Sequence, residues 1–212
     1  MKNKLVAVWN FHKILNNSDI WFSPNSGLEM GIKYSGGTES LRSFYNFYKE
    51  LIGKNIEVKI LDKIDNLKEV DLFIFSNLDL KDKYTKKALK SKGLKYLLLT
   101  EAISVLPDMW SEEVYSKFDK IFTWNDILVD NKKFFKVNCP GFEVFNNPVK
   151  LSTNIKLKKK YCVITASNKR SNHKSSAYHK RLEAIRWFEK FHPDKLDFYG
   201  WDWDKYIFYG PK

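Results

Sequence analysis

The sequence predicts an α/β fold, with one parallel-sheet domain followed by the start of a second. Three observations predict it. Short apolar runs rich in Val, Ile, Leu and Phe alternate with helix-period segments, the signature of strands buried on both faces and joined by crossover helices. The segment Gly141–Lys160 breaks that rhythm with Gly, Pro, Asn, Ser and Thr before a lysine cluster, and reads as a linker. After it the rhythm resumes for one strand, one helix and one strand only. The boundaries this gives are a first domain over residues 1–145, a linker over 146–160 and an incomplete second domain over 161–212.

Each element has its own signal. Leu5–Trp9, Ile56–Leu61, Leu72–Ser76, Tyr96–Thr100, Lys120–Thr123 and Phe134–Val137 are the candidate strands of the first domain. Between them, Ser40–Ile52 carries Leu41, Phe44, Tyr45, Tyr48 and Leu51 on one helical face and stops at Gly53. A lysine-rich helix is expected near Tyr84–Lys92. In the second domain Tyr161–Ala166 reads as a strand. Ser176–Phe191 reads as a helix, with Tyr178, Leu182, Ile185 and Phe188 at three- and four-residue spacing and Pro193 beyond its end. The run "LDFYG" reads as a strand closed by Gly200. A lone strand–helix–strand unit cannot cover both faces of a sheet, so the chain is expected to stop inside its second domain.

Composition narrows the function classes. At 212 residues and 43% hydrophobic the chain can bury a core. The formal charge of +12 raises nucleic acid or an anionic surface as partners. That charge is mostly lysine, spread over every segment, and reads as a solvated surface; no basic, aromatic-interleaved stripe marks a nucleic-acid face. Nucleic acid is therefore not the expected partner. Cys139 and Cys162 fit neither a disulfide framework nor metal-ligand spacing, as expected for a reducing compartment. His12, His173, His179 and His192 form no ligand set. The N-terminal apolar run is too short for a signal peptide, and the chain reads as cytoplasmic, compatible with peripheral contact with a membrane.

Arginine is the informative exception. Its planar fork suits phosphate, and of the four arginines, Arg42, Arg170, Arg181 and Arg186, three fall within residues 170–186. Two of them, Arg170 and Arg181, belong to the stretch "YCVITASNKRSNHKSSAYHKR", in which a strand runs into Ser167 and Asn168 and then into Lys169, Arg170, Lys174, Lys180 and Arg181 without an acid. Ligands of open α/β sheets bind beyond the carboxyl ends of strands, and a helix N-terminus there presents unpaired N–H groups. Helical side chains lean toward the N-terminus, so Arg181 can aim back at whatever the loop holds. Ser167, Asn168, Lys169 and Arg181 are thus candidates for binding a diphosphate. The plainer alternative is a solvated lysine-rich loop with Ser175 or Ser176 capping a helix. The P-loop pattern and the dinucleotide fingerprint are both absent, and Gly36-Gly37 is too far from the first strand to stand in for either.

Taken in order, "LLLTEAISVLPDMW", "FDKIFTWNDILVDNKKFFKVNCP", "ITASNK", "YHKRLEAIRWFEKF" and "DFYGWDW" resemble the α-1,3/1,4-fucosyltransferase family over about Tyr96–Gly210. The resemblance implies two Rossmann-like domains in a GT-B-like architecture, acceptor side first and GDP-fucose side second. It implies an inverting glycosyltransferase that moves L-fucose from GDP-fucose to a hydroxyl of N-acetylglucosamine or glucose in a glycan. No cofactor beyond the donor and no metal is implied. The family's Phe-Glu-Asn-Ser and Tyr-x-Thr-Glu-Lys runs would follow a segment like Tyr209-Gly210, and the sequence ends at Lys212. Residues 1–212 alone are accordingly expected to transfer no sugar. A transferase using another sugar nucleotide, and a non-catalytic nucleotide- or nucleic-acid-binding α/β protein, remain alternatives.

Glu101 follows "YLLLT" directly, at the carboxyl end of a strand. It matches the family position of the base that takes the acceptor's proton; its plainer role is a strand-end carboxylate. Trp124 ends another strand, where an indole face can stack on a sugar, and Asn125 follows it; both are candidate acceptor contacts, although Asn125 or Asp126 also suits a helix cap. Asp202-Trp203-Asp204 matches the Asp-x-Asp of metal-dependent transferases, but it falls where the resemblance has a turn and is read as one.

Overall fold

The computed structural model describes residues 4–11, 13–16, 22, 37–138 and 161–204. The linker at 146–160, Cys139, His12, Gly36 and Tyr209-Gly210 lie outside the described residues. The chain divides into two compact units, Met1–Glu101 with Asp108–Asn146, and Ala102–Pro107 with Asn147–Lys212.

The first unit is an α/β layer around a six-stranded sheet in which every pairing is parallel, consistent with a Rossmann-like domain. Its strands are β1 (Lys4–Asn10), β2 (Ile56–Ile60), β3 (Leu72–Ser76), β4 (Leu94–Leu99), β5 (Lys120–Thr123) and β6 (Phe134–Lys136). They lie in the order β2-β1-β3-β4-β5-β6. The chain leaves β1 toward β2 on one side and resumes at β3 on the other, so the sheet has its switch point between β1 and β3.

Hydrophobic content sets the positions in that order. From Leu5 to Asn10 every residue of β1 is buried, and Phe73 and Phe75 of β3 are all but fully enclosed. Strands covered on both faces belong at the centre of a sheet. Phe75 stacks edge-on against Phe118 at 5.8 Å, one of the aromatic contacts that fill the layer.

Helix α1 (Gly37–Gly53) joins β1 to β2, and α2 (Lys83–Leu89) joins β3 to β4. Asp82 caps α2 by accepting the Thr85 N–H at 2.8 Å. The sequence extends this helix to Lys92, but it stops three residues sooner. Its last turn tightens instead, with Lys90 N–H donating to Lys87 O at 3.2 Å and Ser91 N–H to Ala88 O at 3.0 Å, and the chain then enters β4 at Gly93, where a Cβ would meet the Val70 carbonyl oxygen. A one-turn helix, α3 (Glu112–Tyr115), precedes β5 and is capped by Ser111. The sequence reading did not include it.

The second unit holds β7 (Cys162–Thr165), α4 (Tyr178–Phe191) and β8 (Leu196–Tyr199), a parallel strand–helix–strand unit with Ile185 fully buried on the helix. Helix α4 begins at Tyr178, with Ala177 at its cap position and no side-chain cap bond. Ser176 is buried and its Oγ accepts the Tyr178 N–H at 3.3 Å, which consumes one of the orphan donors of the first turn. Among the described residues no helix is long and apolar enough to cross a membrane.

Candidate functional site

Two groups of residues predicted from sequence are each gathered by the unit that carries them. In the first unit, Glu101, Trp124 and Asn125 come together at the carboxyl ends of the neighbouring strands β4 and β5. Glu101 is half-buried and its peptide is fixed from below. Asn77, which follows β3, is buried in the left-handed conformation (φ 54°), and its Oδ1 accepts the N–H groups of both Thr100 and Glu101 at 3.0 Å. Its Nδ2 donates to Thr100 Oγ1 at 2.9 Å. One asparagine thereby sets the direction in which the chain leaves β4. An asparagine tolerates that φ where a β-branched residue does not.

The Trp124 indole is fixed as well. Its Nε1–H donates to the Thr100 carbonyl oxygen at 2.9 Å, its ring lies 6.0 Å from that of Trp110, and two-fifths of the residue faces solvent. Asn125 is spent locally: its Oδ1 accepts the Ile127 N–H at 3.1 Å, closing a turn where the sequence suggested a helix cap. Asp126 is exposed and pairs with Lys136 Nζ at 2.6 Å, and such an exposed pair adds little stability.

In the second unit the loop after β7 is held by main-chain bonds to the strand end beside it. Ala166 N–H donates to Tyr199 O at 2.8 Å and Asn168 N–H to Trp201 O at 2.9 Å, extending the β7–β8 ladder. Gly200 is required for this, since a Cβ there would lie 1.8 Å from Ala166 O. The buried Trp203 donates from Nε1 to the same carbonyl at 2.7 Å, and its ring meets Phe198 edge-on at 4.6 Å. Asp202-Trp203-Asp204 therefore forms a bend with an aromatic anchor in its centre and both carboxylates exposed.

Arg181 does reach back from α4, and what it grips is the loop itself. Its Nη1 donates to the Ser167 carbonyl oxygen, and its guanidinium lies 5.1 Å from the Tyr178 ring centroid. Beyond this anchor the loop opens into a cavity of about 540 Å³. Lys169 and Arg170 supply its cationic side, Ser171, Asn172, His173 and Tyr178 its polar side, and Ser104, Val105 and Pro107 the remaining wall; no acid is among the described residues that line it. Ser171 Oγ donates to Ser104 O at 2.8 Å and so ties the loop to that wall.

Of the four residues predicted for a diphosphate, Lys169 lines the cavity. Ser167, Asn168 and Arg181 form the frame behind it. Arg170, one of the clustered arginines of the sequence, lines the cavity beside Lys169, and Ser171, Asn172, His173 and Tyr178 of the same basic stretch join them. No family model, curated protein or solved structure matches the chain.

Proposed function

We propose that this protein is an inverting glycosyltransferase of the fucosyltransferase kind, with GDP-fucose as donor and a glycan hydroxyl as acceptor. The observation that carries the reading is the cationic cavity on the loop after β7, with no acid among its described lining residues, at the carboxyl end of a parallel strand–helix–strand unit. That is where such folds hold phosphates, and Lys169 and Arg170 supply the positive charge that a departing nucleoside diphosphate needs. The GT-B-like pairing of two Rossmann-like domains belongs to the same proposal.

In this mechanism the acceptor hydroxyl oxygen attacks the anomeric carbon from the face opposite GDP. The bond from that carbon to the diphosphate oxygen breaks as the new glycosidic bond forms, which inverts the centre. Glu101 takes the hydroxyl proton, and Lys169, Arg170 and the α4 end offset the charge left on GDP. Trp124 offers its ring face to the acceptor.

The test is GDP-fucose turnover with N-acetyllactosamine by a longer protein that contains the chain. Glu101→Gln is expected to cut turnover by about 10² to 10⁴ while GDP binds as before. Full turnover in Glu101→Gln would remove Glu101 as the base. A basic loop that binds single-stranded nucleic acid and ignores GDP would replace the transferase reading with the binding-protein one.

A further inference from the structure

The switch point of the first sheet holds a cavity of about 600 Å³ that shares no lining residue with the Glu101 edge. It lies at the carboxyl ends of β1, β2 and β3, the position at which open α/β sheets take ligands, and its volume is that of a small-molecule site. One wall is aromatic: Trp9, the penultimate residue of β1, packs on Tyr84 with ring centroids 5.1 Å apart. The rest is polar, and among the described residues that line it the charges cancel, because Asp62, Asp79 and Asp82 are matched by Lys13, Lys81 and Lys83. This cavity gives no net attraction to an anion or a cation, unlike the cationic one in the second unit.

Two of its carboxylates are partly engaged. Asp82 Oδ2 accepts the Thr85 N–H and Asp79 Oδ1 the Lys81 N–H, both at 2.8 Å. Asp62 differs, for its Oδ1 is buried and has no hydrogen-bond partner among the described residues. A buried carboxylate oxygen without a donor is costly, and a hydroxyl-bearing ligand entering the cavity supplies one. Hydrogen-bond donors, zero net charge and an apolar face to lie on Trp9 and Tyr84 together describe a sugar ring. We propose that this cavity is a binding site for a neutral carbohydrate, with Asp62 accepting from sugar hydroxyls and the Trp9–Tyr84 pair carrying the ring.

The inference does not depend on the transferase reading. It is tested by saturation-transfer NMR on the full chain with N-acetyllactosamine and methyl β-glucoside as probes, and spermidine and inorganic phosphate as charged controls. At least one sugar is expected to bind. Asp62→Asn, which keeps the side chain's shape, and Tyr84→Ala are each expected to weaken it by about tenfold or more. Thermal melts identify either variant that fails to fold, and the other then decides. No sugar signal, undiminished sugar binding in the folded variants, or displacement of the sugar by spermidine or phosphate would overturn the site. Sugar binding here, with no GDP-fucose turnover by a longer protein that contains the chain, would uphold it while removing the transferase, and the converse result would do the reverse.

Discussion

Asn77 holds Glu101 by its peptide: the asparagine Oδ1 accepts the Glu101 N–H at 3.0 Å and the Thr100 N–H at the same distance. The pair links the carboxyl ends of β3 and β4, and the asparagine is nearly enclosed. Asn77→Ala is therefore expected to lower unfolding stability by about 1 to 3 kcal/mol, because it leaves two part-buried donors without this partner. Denaturant unfolding measures this. Asn77→Asp keeps the acceptor and loses only the donation to Thr100, so it should cost less. Equal losses in the two variants would mean that the acceptor geometry is unimportant.

Gly200 and Trp203 lock the strand end of the second unit against Ala166. Gly200→Ala places a methyl where the Ala166 carbonyl already stands, and a cost above about 3 kcal/mol is expected. Trp203→Phe retains the ring against Phe198 and removes the indole donor, which should cost about 1 kcal/mol. Thermal denaturation distinguishes the two. A Gly200→Ala protein as stable as wild type would contradict the tight approach.

Much of this architecture was legible in the chain. Buried parallel strands are continuous apolar runs, so Leu72–Ser76 and Lys120–Thr123 could be bounded from residues alone. Glu101 and Trp124 were legible as strand-end residues for the same reason, since each follows such a run. Asn77 was not. Its role depends on a left-handed φ and on two partners more than twenty residues away, neither of which has a local signal. The start of α4 was misplaced because Ser176, a good cap by type, turns inward and serves Tyr178 from one position too early. Arg181 was expected to face a ligand; its length and lean were legible, but the competing carbonyl of Ser167 was not.

Arg181 consequently acts on a ligand through the loop. Arg181→Lys keeps the charge and loses the planar fork, so both it and Arg181→Ala are expected to weaken GDP binding by about tenfold or more. A structural signature accompanies this: the amide resonances of Ser167–Lys169 should shift in both variants. If Arg181→Lys bound GDP like wild type, charge alone would account for the residue.

Asp130 gives a pH signature in the first unit. Its Oδ1 accepts the N–H groups of Lys132 at 2.8 Å, Lys133 at 2.9 Å and Phe134 at 2.8 Å, and these bonds hold its carboxyl below the ordinary value of 3.8. A depressed folded value means that the ionised form stabilises the β5–β6 connection. That contribution is complete above the ordinary value and is lost as pH falls through the depressed one. Carboxyl NMR titration should place the midpoint of Asp130 below 3.8, and Asp130→Asn should remove the acid-induced change in the amides of 132–134. A midpoint at or above the ordinary value would contradict the three bonds.

The most direct measurement is calorimetric titration of GDP into the full chain, beside the Lys169→Ala/Arg170→Ala double variant. Binding of one GDP per chain, weakened by about tenfold or more in the double variant and by added salt, is the result expected of a diphosphate site on the loop after β7. GDP that fails to bind, or that binds the double variant as tightly as the wild type, would contradict it.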